Sequence, residues 1–356
     1  MSDVRKDWRW QLRNSISTVE QLAEYLTLSP MQIHSIAAAN THYKMRITPY
    51  YLGLIQQPYD ESPIFKQSIP NEMELTTFEM LDTDPLSERK YMPVPSLIHK
   101  YPDRVVLLVT NNCFMYCRHC TRKNTVVRAR TPPMHYLDQA MTYIREHPEI
   151  RDVLVSGGDP LFLEDEELEH ILKSLRDIFH VSTIRIGTRA PVVLPMRVTE
   201  ELSNILRKYV VWVYTHFNHP IEITKQSVQA CACLQDHGVP VGNQTVLLRG
   251  VNDDVETMET LFTKLIKNRV RPYYLYQCDY TQGVSHFITP VSTGINIIRA
   301  LRGNISGYAI PSYVVDCPGE GGKIILEPNN IIEDKEEYLL LNNYHGNPIK
   351  YPLFRR

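Results

Sequence analysis

A repeated alternation of two kinds of segment constrains the fold of this chain more than any other feature. From about residue 105 onward, short β-branched runs alternate six times with longer amphipathic stretches, a pattern typical of βα units on a parallel sheet. The predicted strands are Val105 to Val109, Asp152 to Val155, Thr183 to Ile186, Val211 to Tyr214, Val241 to Leu247 and Pro272 to Gln277. The predicted helices are Met134 to Glu146, Asp165 to Phe179, Glu200 to Tyr209, Thr224 to His237, Val255 to Asn268 and Ser292 to Leu301.

Six such units with short loops predict an α/β fold, specifically a partial (βα)6 barrel of the TIM type. We assign this barrel to residues 101–305. Residues 1–100 combine helical patterns with irregular proline-rich chain and are predicted to form an N-terminal helical wrapping or oligomerising segment. Residues 306–356 form the predicted C-terminal segment, which carries a glycine-rich turn and Lys323.

Polar residues occur at the C-terminal ends of the predicted strands, where barrel enzymes place their working groups. In chain order they are Cys113, Cys117, Cys120, Ser156 to Asp159, Arg189, His216, Asn218, His219, Asn243, Gln244 and Asp279. Taken singly, each has a structural explanation, such as a helix cap for Asp159 or a packed strand-end histidine for His216. Their shared position at one rim predicts a functional site there.

The cysteines Cys113, Cys117 and Cys120 form a compact C-x3-C-x2-C triplet after the first predicted strand. Iron–sulfur clusters are usually held by four thiolates, so a triplet leaves one iron of a 4Fe-4S cluster open for another ligand. The alternative is a structural zinc site completed by His119 or a distant cysteine. Zinc sites tend to combine two close pairs, and the sequence has no second C-x2-C-like pair.

Composition excludes several classes of function. The 38 Lys and Arg residues against 40 Asp and Glu residues give a net charge of -2, so we expect no nucleic-acid partner. Apolar runs are too short to span a membrane, and the first residues lack the apolar core of a secretory signal. An odd number of cysteines, three of them clustered, favours a reducing compartment, and we expect the cytoplasm.

The glycine-rich turn between Cys317 and Lys323 admits two interpretations. A phosphate-binding P-loop is disfavoured, because Cys317 replaces its first glycine and Ile324 replaces its Ser or Thr. In one interpretation the glycines let the backbone approach a planar cofactor while Lys323 forms an imine with it, as in pyridoxal enzymes. In the other, the turn is a hairpin with a solvated lysine.

Several motifs together resemble a known family. They are Cys-Arg-His-Cys-Thr-Arg at 117–122, Ser-Gly-Gly-Asp at 156–159, Thr-His-Phe-Asn-His-Pro at 215–220, Gly-Asn-Gln at 242–244, Arg-Pro-Tyr-Tyr-Leu-Tyr-Gln-Cys-Asp at 271–279 and the Pro-Gly-x-Gly-Gly-Lys turn. In this order they resemble the lysine 2,3-aminomutase family, and the similarity extends from Trp8 to Pro328, about nine-tenths of the chain. The resemblance implies a radical S-adenosylmethionine isomerase that uses a 5'-deoxyadenosyl radical and a pyridoxal phosphate imine to interconvert L-α-lysine and β-lysine.

The resemblance also implies roles for individual residues. The 4Fe-4S cluster would be held by Cys113, Cys117 and Cys120. Pyridoxal 5'-phosphate would be held by Lys323, Lys100, Arg104, Gln244 and Tyr276. S-adenosylmethionine would contact Ser156, Gly157, Gly158, Asp159 and His216. The substrate would contact Arg122 through its α-carboxylate and Asp279 and Asp316 through its distal ammonium. Relatives acting on glutamate have Lys and Asn in place of the two acids, so lysine is favoured, with glutamate or a modified lysine as the alternative.

Three departures from the family pattern affect these expectations. Lys100 stands where the best-known relatives have Arg, and Glu320 replaces a Gly in the lysine-bearing turn. No cysteine follows Cys317 and Asp254 occupies an upstream ligand position, so we expect no structural zinc. The resemblance further implies an electron donor and a homo-oligomer, either a dimer or a tetramer. A non-catalytic zinc-binding scaffold is the alternative from a different class of function.

Overall fold

A nine-stranded sheet forms the centre of the molecule. It is described by a computed structural model for residues 4–125, 132, 134–318, 321–343 and 345–353, and Glu320 lies outside these residues. Strands β2 to β8 are parallel neighbours in chain order, while β1 and β9 pair antiparallel at the two edges. The strands are β1 (Leu97–Tyr101), β2 (Arg104–Thr110), β3 (Asp152–Gly157), β4 (Thr183–Gly187), β5 (Val211–Thr215), β6 (Val241–Leu247), β7 (Arg271–Gln277), β8 (Ser312–Cys317) and β9 (Gly322–Ile325).

Helices follow the parallel strands from β2 to β7, which confirms the predicted partial barrel of six βα units. In α7, for example, Leu168, Ile171, Leu172 and Leu175 form a buried face at helical spacing. The helices are α1 (Trp8–Arg13), α2 (Val19–Ala23), α3 (Pro30–His42), α4 (Pro49–Leu52), α5 (Pro63–Ser68), α6 (Met134–Glu146), α7 (Asp165–Arg176), α8 (Ala190–Val193), α9 (Glu200–Lys208), α10 (Lys225–Asp236), α11 (Val255–Lys267) and α12 (Val291–Leu301). We call the C-terminal ends of β2 to β7 the barrel mouth.

Strand β8 is an additional parallel strand that the sequence analysis did not predict. It pairs with β7, and both Tyr313 and Val314 are fully buried. The chain then reverses into β9, which pairs antiparallel with β8 so that Asp316 lies opposite Lys323. The sheet therefore extends past the six predicted units and carries the lysine back along its edge.

The N-terminal helices pack directly against the barrel. One continuous cluster of buried apolar residues extends from Trp8 to Tyr313. The indole of Trp8 meets the ring of Phe114 edge-on, with ring centroids 6.5 Å apart. Serine and threonine caps begin several of these helices, as Ser29 does for α3 in a capping box with Gln32.

A second sheet follows β9 and consists of β10 (Ile331–Asp334), β11 (Tyr338–Asn342) and β12 (Pro348–Pro352), all antiparallel. Several of its large apolar side chains are exposed, namely Ile331, Ile332, Ile349 and Tyr351. Within the described ranges, we find no helix with the length and apolar character needed to cross a membrane.

Candidate active site

The three cysteines lie on the loop after β2 and line one cavity at the barrel mouth. Burial and the neighbouring thiols raise the pKa of Cys120 to about 11, and they also raise the pKa of Cys113. Among the described residues, no three His, Cys, Asp or Glu side chains converge closely enough to hold a single metal ion. Three thiols on one cavity suit a multi-iron cluster, because its positive charge stabilises the thiolate forms.

A buried arginine contacts the middle cysteine of the triplet. Arg189 follows β4, and its Nη1 donates to the Sγ of Cys117 at 2.9 Å. Its Nη2 donates at 2.7 Å both to a carboxylate oxygen of Glu222 and to the amide oxygen of Gln67. These bonds fix the guanidinium beside the sulfur.

The N-terminal segment holds the cysteine loop in place through Arg118. This side chain is 1% exposed and donates to both carboxylate oxygens of Glu74, at 2.9 and 2.5 Å. It also donates to the backbone carbonyls of Tyr43 and Lys44, each at 3.0 Å. Lys123 donates to the same Glu74 carboxylate at 2.8 Å. The sequence indicated only a wrapping or oligomerising role for residues 1–100, and this supporting role of Glu74 was missed.

The Ser-Gly-Gly-Asp turn after β3 packs against the cysteine loop with no room for side chains. Gly157 has a φ of +126°, and a Cβ there would lie 2.2 Å from the carbonyl oxygen of Thr110. A Cβ on Gly158 would lie 2.1 Å from the carbonyl oxygen of Asn112. Both positions therefore require glycine. The sequence analysis assigned this turn to S-adenosylmethionine, and the structure brings it beside the triplet.

The carboxylate of Asp159 forms its hydrogen bonds with other groups of the protein. One carboxylate oxygen accepts a hydrogen bond from Thr188 Oγ1 at 2.6 Å, and the other accepts from the backbone N–H of Arg189 at 2.8 Å. Burial raises the pKa of this carboxyl group. Asp159 also accepts from the N–H of Leu161, at 3.1 Å, as a helix cap would. These bonds hold the turn in shape, and contact of Asp159 with S-adenosylmethionine stays a prediction.

Other polar residues of the rim also bond within the protein. Asn243 accepts from the backbone N–H of Phe217 at 2.7 Å, Asn218 accepts from that of Val246 at 2.9 Å, and His219 accepts from that of Ile221 at 3.2 Å. Burial and the charge of Arg189 lower the pKa of His216 to about 4, so this imidazole is neutral at physiological pH. The structure places His216 next to the Gln244 backbone, with which it forms a hydrogen bond.

Lys323 lies on β9 with its amine directed at two residues of the barrel. Its Nζ donates to Oδ2 of Asp316 at 2.6 Å and lies 5.4 Å from the ring centroid of Tyr276. The Lys323 side chain is 34% exposed, and that of Asp316 is 10% exposed. The structure therefore brings together three residues that the sequence analysis assigned to the cofactor and the substrate.

Tyr101 is a neighbour of Lys323 that the sequence analysis missed. Its hydroxyl accepts a hydrogen bond from the backbone N–H of Lys323 at 2.9 Å, across the gap between the two edges of the sheet. Gly322 permits this contact, since a Cβ at its φ of +61° would lie 3.0 Å from the hydroxyl oxygen. The guanidinium carbon of Arg104 lies 5.1 Å from the Tyr101 ring centroid. Lys100 Nζ donates to the carbonyl of Cys317 at 3.4 Å.

Of the predicted ligands of the pyridoxal cofactor, Lys100 reaches the end of β8 through its bond to the Cys317 carbonyl. Arg104 lies at the start of β2, where its Nε donates to Asp103 Oδ1 at 2.9 Å. Strands in a barrel are tilted and staggered, so the start of one edge can meet the end of the other. The amine of Lys323, the ring face of Tyr276 and the cation of Lys100 fit a pyridoxal cofactor, whose phosphate takes charged donors.

Two partly buried carboxylates, those of Asp279 and Asp316, face the same space as Lys323. Asp279 follows β7 and accepts a hydrogen bond from Thr121 Oγ1 at 2.6 Å. Burial raises the pKa of Asp279 to about 6, and the charge of Asp316 adds to this effect. Because Thr121 directly follows Cys120, this hydrogen bond connects the cysteine loop to the acidic pair.

Arg122, the predicted ligand of the substrate carboxylate, is paired with Glu88. Its Nε and Nη2 donate to the two carboxylate oxygens of Glu88 at 2.8 and 2.6 Å. Its Nη1 donates to Oγ of Ser156 at 3.4 Å, so Arg122 reaches the glycine-rich turn as well. Glu88 begins a short 3-10 helix, Glu88–Tyr91, in the N-terminal segment, where no periodicity or motif distinguished it.

Family models and known proteins are similar to this chain in sequence. A family model described as the Radical SAM superfamily matches residues 107–261, and one described as Lysine-2,3-aminomutase matches residues 298–353. The L-lysine 2,3-aminomutase of Clostridium subterminale is 52% identical, over 96% of this chain and 82% of its own length. That of Bacillus subtilis is 48% identical, over 97% of this chain and 74% of its own length. The glutamate 2,3-aminomutase of Clostridioides difficile is 42% identical, over 98% of this chain and 84% of its own length.

Proposed function

The chain belongs to the lysine 2,3-aminomutase family within the radical SAM superfamily, and we propose that it interconverts L-α-lysine and β-lysine. The observation that carries this proposal is the acidic pair beside Lys323, with Asp316 at 2.6 Å from the amine and the partly buried Asp279 nearby. Lys323 supplies an amine that can form an imine with an aldehyde cofactor, and the two aspartates supply negative charge for the distal ammonium of the substrate. The activity makes the enzyme an isomerase.

We assign the cofactors to two sides of the barrel mouth. Cys113, Cys117 and Cys120 would hold a 4Fe-4S cluster, and Lys323 would bind pyridoxal phosphate with Lys100 nearby. When bound, the cluster and S-adenosylmethionine supply a carbon radical that removes hydrogen from the substrate, and pyridoxal phosphate holds the migrating amine. Tyr276, 5.4 Å from the lysine Nζ, offers an aromatic face to a planar ring there.

Charge distinguishes lysine from glutamate as the substrate. A buried cation requires fixed anionic partners, and Asp279 and Asp316 are two such partners. The carboxylate of a glutamate side chain would instead be a third negative charge in the same space, which is unfavourable at low dielectric. The pair therefore supports lysine, although the glutamate enzyme is a relative.

The proposal is tested with anaerobically reconstituted protein, supplied with L-lysine, S-adenosylmethionine, pyridoxal phosphate and dithionite. We expect β-lysine to form, and we expect about four iron and four sulfide per chain, as a 4Fe-4S site demands. Chromatographic detection of β-lysine and metal analysis measure the two outcomes. One zinc per chain with no iron would instead identify a non-catalytic zinc-binding scaffold.

Exchange of the acidic pair is expected to alter substrate choice. In the double variant Asp279→Lys and Asp316→Asn, we expect lysine turnover to fall roughly a hundredfold or more and glutamate turnover to rise, because removing desolvated charge partners costs several kcal/mol. Rates with both amino acids measure the shift. The control is Asp138→Lys with Asp177→Asn, the same charge change at two exposed positions. Unchanged lysine turnover in the site variant would contradict the assignment.

We also propose where the enzyme is located and how it assembles. The seven free cysteines support a reducing cytoplasm, where an electron donor would reduce the cluster. The exposed apolar side chains of the second sheet, Ile331, Ile332, Ile349 and Tyr351, support a homo-oligomer. We retain the assignment of residues 1–100, 101–305 and 306–356 to a wrapping segment, a barrel and a cofactor-bearing segment.

A further inference from the structure

Glu88 forms hydrogen bonds with one edge of the Arg122 guanidinium group. The two parallel bonds, 2.8 and 2.6 Å long, use Nε and Nη2 and fix the plane of the group. Both side chains are largely covered, with 23% of Arg122 and 17% of Glu88 exposed. The opposite edge, formed by Nη1 and the second hydrogen of Nη2, keeps donors beyond those that Glu88 uses. On that edge, the distance of 3.4 Å from Nη1 to Ser156 Oγ marks a weak bond.

The backbone around Glu88 is itself fixed. Asp84 accepts hydrogen bonds from the backbone N–H groups of Glu88 and Arg89, at 2.8 and 3.1 Å. Two residues earlier, Asp82 exchanges backbone hydrogen bonds with Tyr280 and Gln282, at 3.0 and 2.9 Å. This ties the segment that carries Glu88 to the loop that carries Asp279. Glu88 is therefore held in register with the acidic pair.

We infer that Glu88 is a positioning residue, which orients Arg122 so that its Nη1–Nη2 edge receives the α-carboxylate of the amino acid substrate. The inference rests on the proposed function for the identity of that substrate. Three acidic side chains, Glu88, Asp279 and Asp316, surround the mouth. Without the pairing to Glu88, the guanidinium would keep the weak bond to Ser156 but lose its fixed plane, so its Nη1–Nη2 edge would no longer be held ready for the carboxylate.

The experiment compares L-lysine with cadaverine, which has the same two amines and lacks the carboxylate. Binding of each to the anaerobic holoenzyme is measured by titration calorimetry, for the wild type and for Glu88→Gln. The amide keeps the side-chain shape but presents an N–H to the guanidinium. We expect the Kd for L-lysine to rise about tenfold or more and the Kd for cadaverine to stay unchanged. We also expect KM for lysine to rise more than kcat falls.

Two further variants separate positioning from a general effect on the fold. Glu88→Asp restores the charge on a shorter side chain and is expected to recover part of the lysine affinity. Glu166→Gln makes the same change at an exposed position of α7 and is expected to alter neither ligand. Iron content and visible absorbance are measured for each protein to confirm that the cluster is loaded.

Several results would overturn the inference. Tighter lysine binding by Glu88→Gln would mean that Glu88 competes with the substrate for Arg122. Equal losses for lysine and cadaverine would mean a structural role, and unchanged Kd values for both ligands would mean no role. Failure of the proposed function can be distinguished from failure of this inference. If the wild type forms no β-lysine but Glu88→Gln still weakens lysine binding relative to the wild type, the role of Glu88 stands and the proposed function does not.

Discussion

Replacement of Lys323 by alanine is expected to abolish β-lysine formation, with a fall of about a thousandfold or more, because the nucleophilic amine of the site is removed. The Nζ of Lys323 is held 2.6 Å from Asp316 and lies against Tyr276. No step at the cysteine loop depends on this side chain, so we expect the iron and sulfide content to stay unchanged. The variant therefore separates the two halves of the chemistry.

Two measurements check this prediction. Treatment with borohydride should attach pyridoxal phosphate permanently to the wild-type chain and leave Lys323→Ala unlabelled, as read by mass spectrometry. Lys350→Ala removes an exposed lysine on β12 and serves as the control. Covalent labelling of the Lys323→Ala chain, together with retained turnover, would show that another amine carries the cofactor.

Replacement of Asp279 by asparagine is expected to change activity and stability in opposite directions. Asparagine cannot neutralise the substrate ammonium, so we expect lysine turnover to fall about a hundredfold. Stability should rise, because burial raises the pKa of Asp279 to about 6, which means that the folded state disfavours the charged carboxylate. At pH 8 this disfavoured charge costs on the order of 2 to 3 kcal/mol, and the substitution removes that cost.

The effect of Asp279→Asn on stability should depend on pH. A carboxyl group whose pKa is raised in the folded state destabilises the protein fully above about pH 6, and progressively less as the pH falls toward its unfolded value near 4. The melting temperature of Asp279→Asn should therefore exceed that of the wild type at pH 8, and the difference should narrow between pH 6 and 4. Asp138→Asn, an exposed change, should show no such difference. A less stable Asp279→Asn protein at pH 8 would contradict the prediction.

The same titration predicts weaker binding of lysine in acid. Below about pH 6 the Asp279 carboxyl group takes up a proton and loses the charge that attracts the substrate ammonium. The Kd for lysine should rise as the pH is lowered through 6, and the Asp279→Asn variant should lack this dependence.

Local sequence patterns were sufficient to predict the six βα units, because their apolar spacing arises within each segment. Strand β8 was missed since the run from Tyr313 to Cys317 was interpreted only as the approach to the lysine-bearing turn. Its strand character depends on pairing with β7, a contact made far along the chain. Such long-range pairing leaves a weak local signal.

The same reason explains what was missed in the site. Tyr101 meets Lys323 only because the staggered sheet brings its two edges together, and no short motif encodes that meeting. Glu88 begins a single 3-10 turn, Glu88–Tyr91, which is too short to show periodicity. The assignment of Asp159 to S-adenosylmethionine stays a prediction. The motif could not indicate that its carboxylate oxygens bond with Thr188 and Arg189, because both partners come from another strand end.

The buried bonds of Arg118 have a consequence for how the enzyme matures. The arginine between the second and third cysteines is anchored to Glu74 and to the carbonyls of Tyr43 and Lys44, all supplied by the N-terminal helices and their connections. A buried guanidinium without partners is costly, so the conformation of the cysteine loop depends on the N-terminal segment. A protein shortened past Glu74 would lose these partners, and we expect it to incorporate iron poorly.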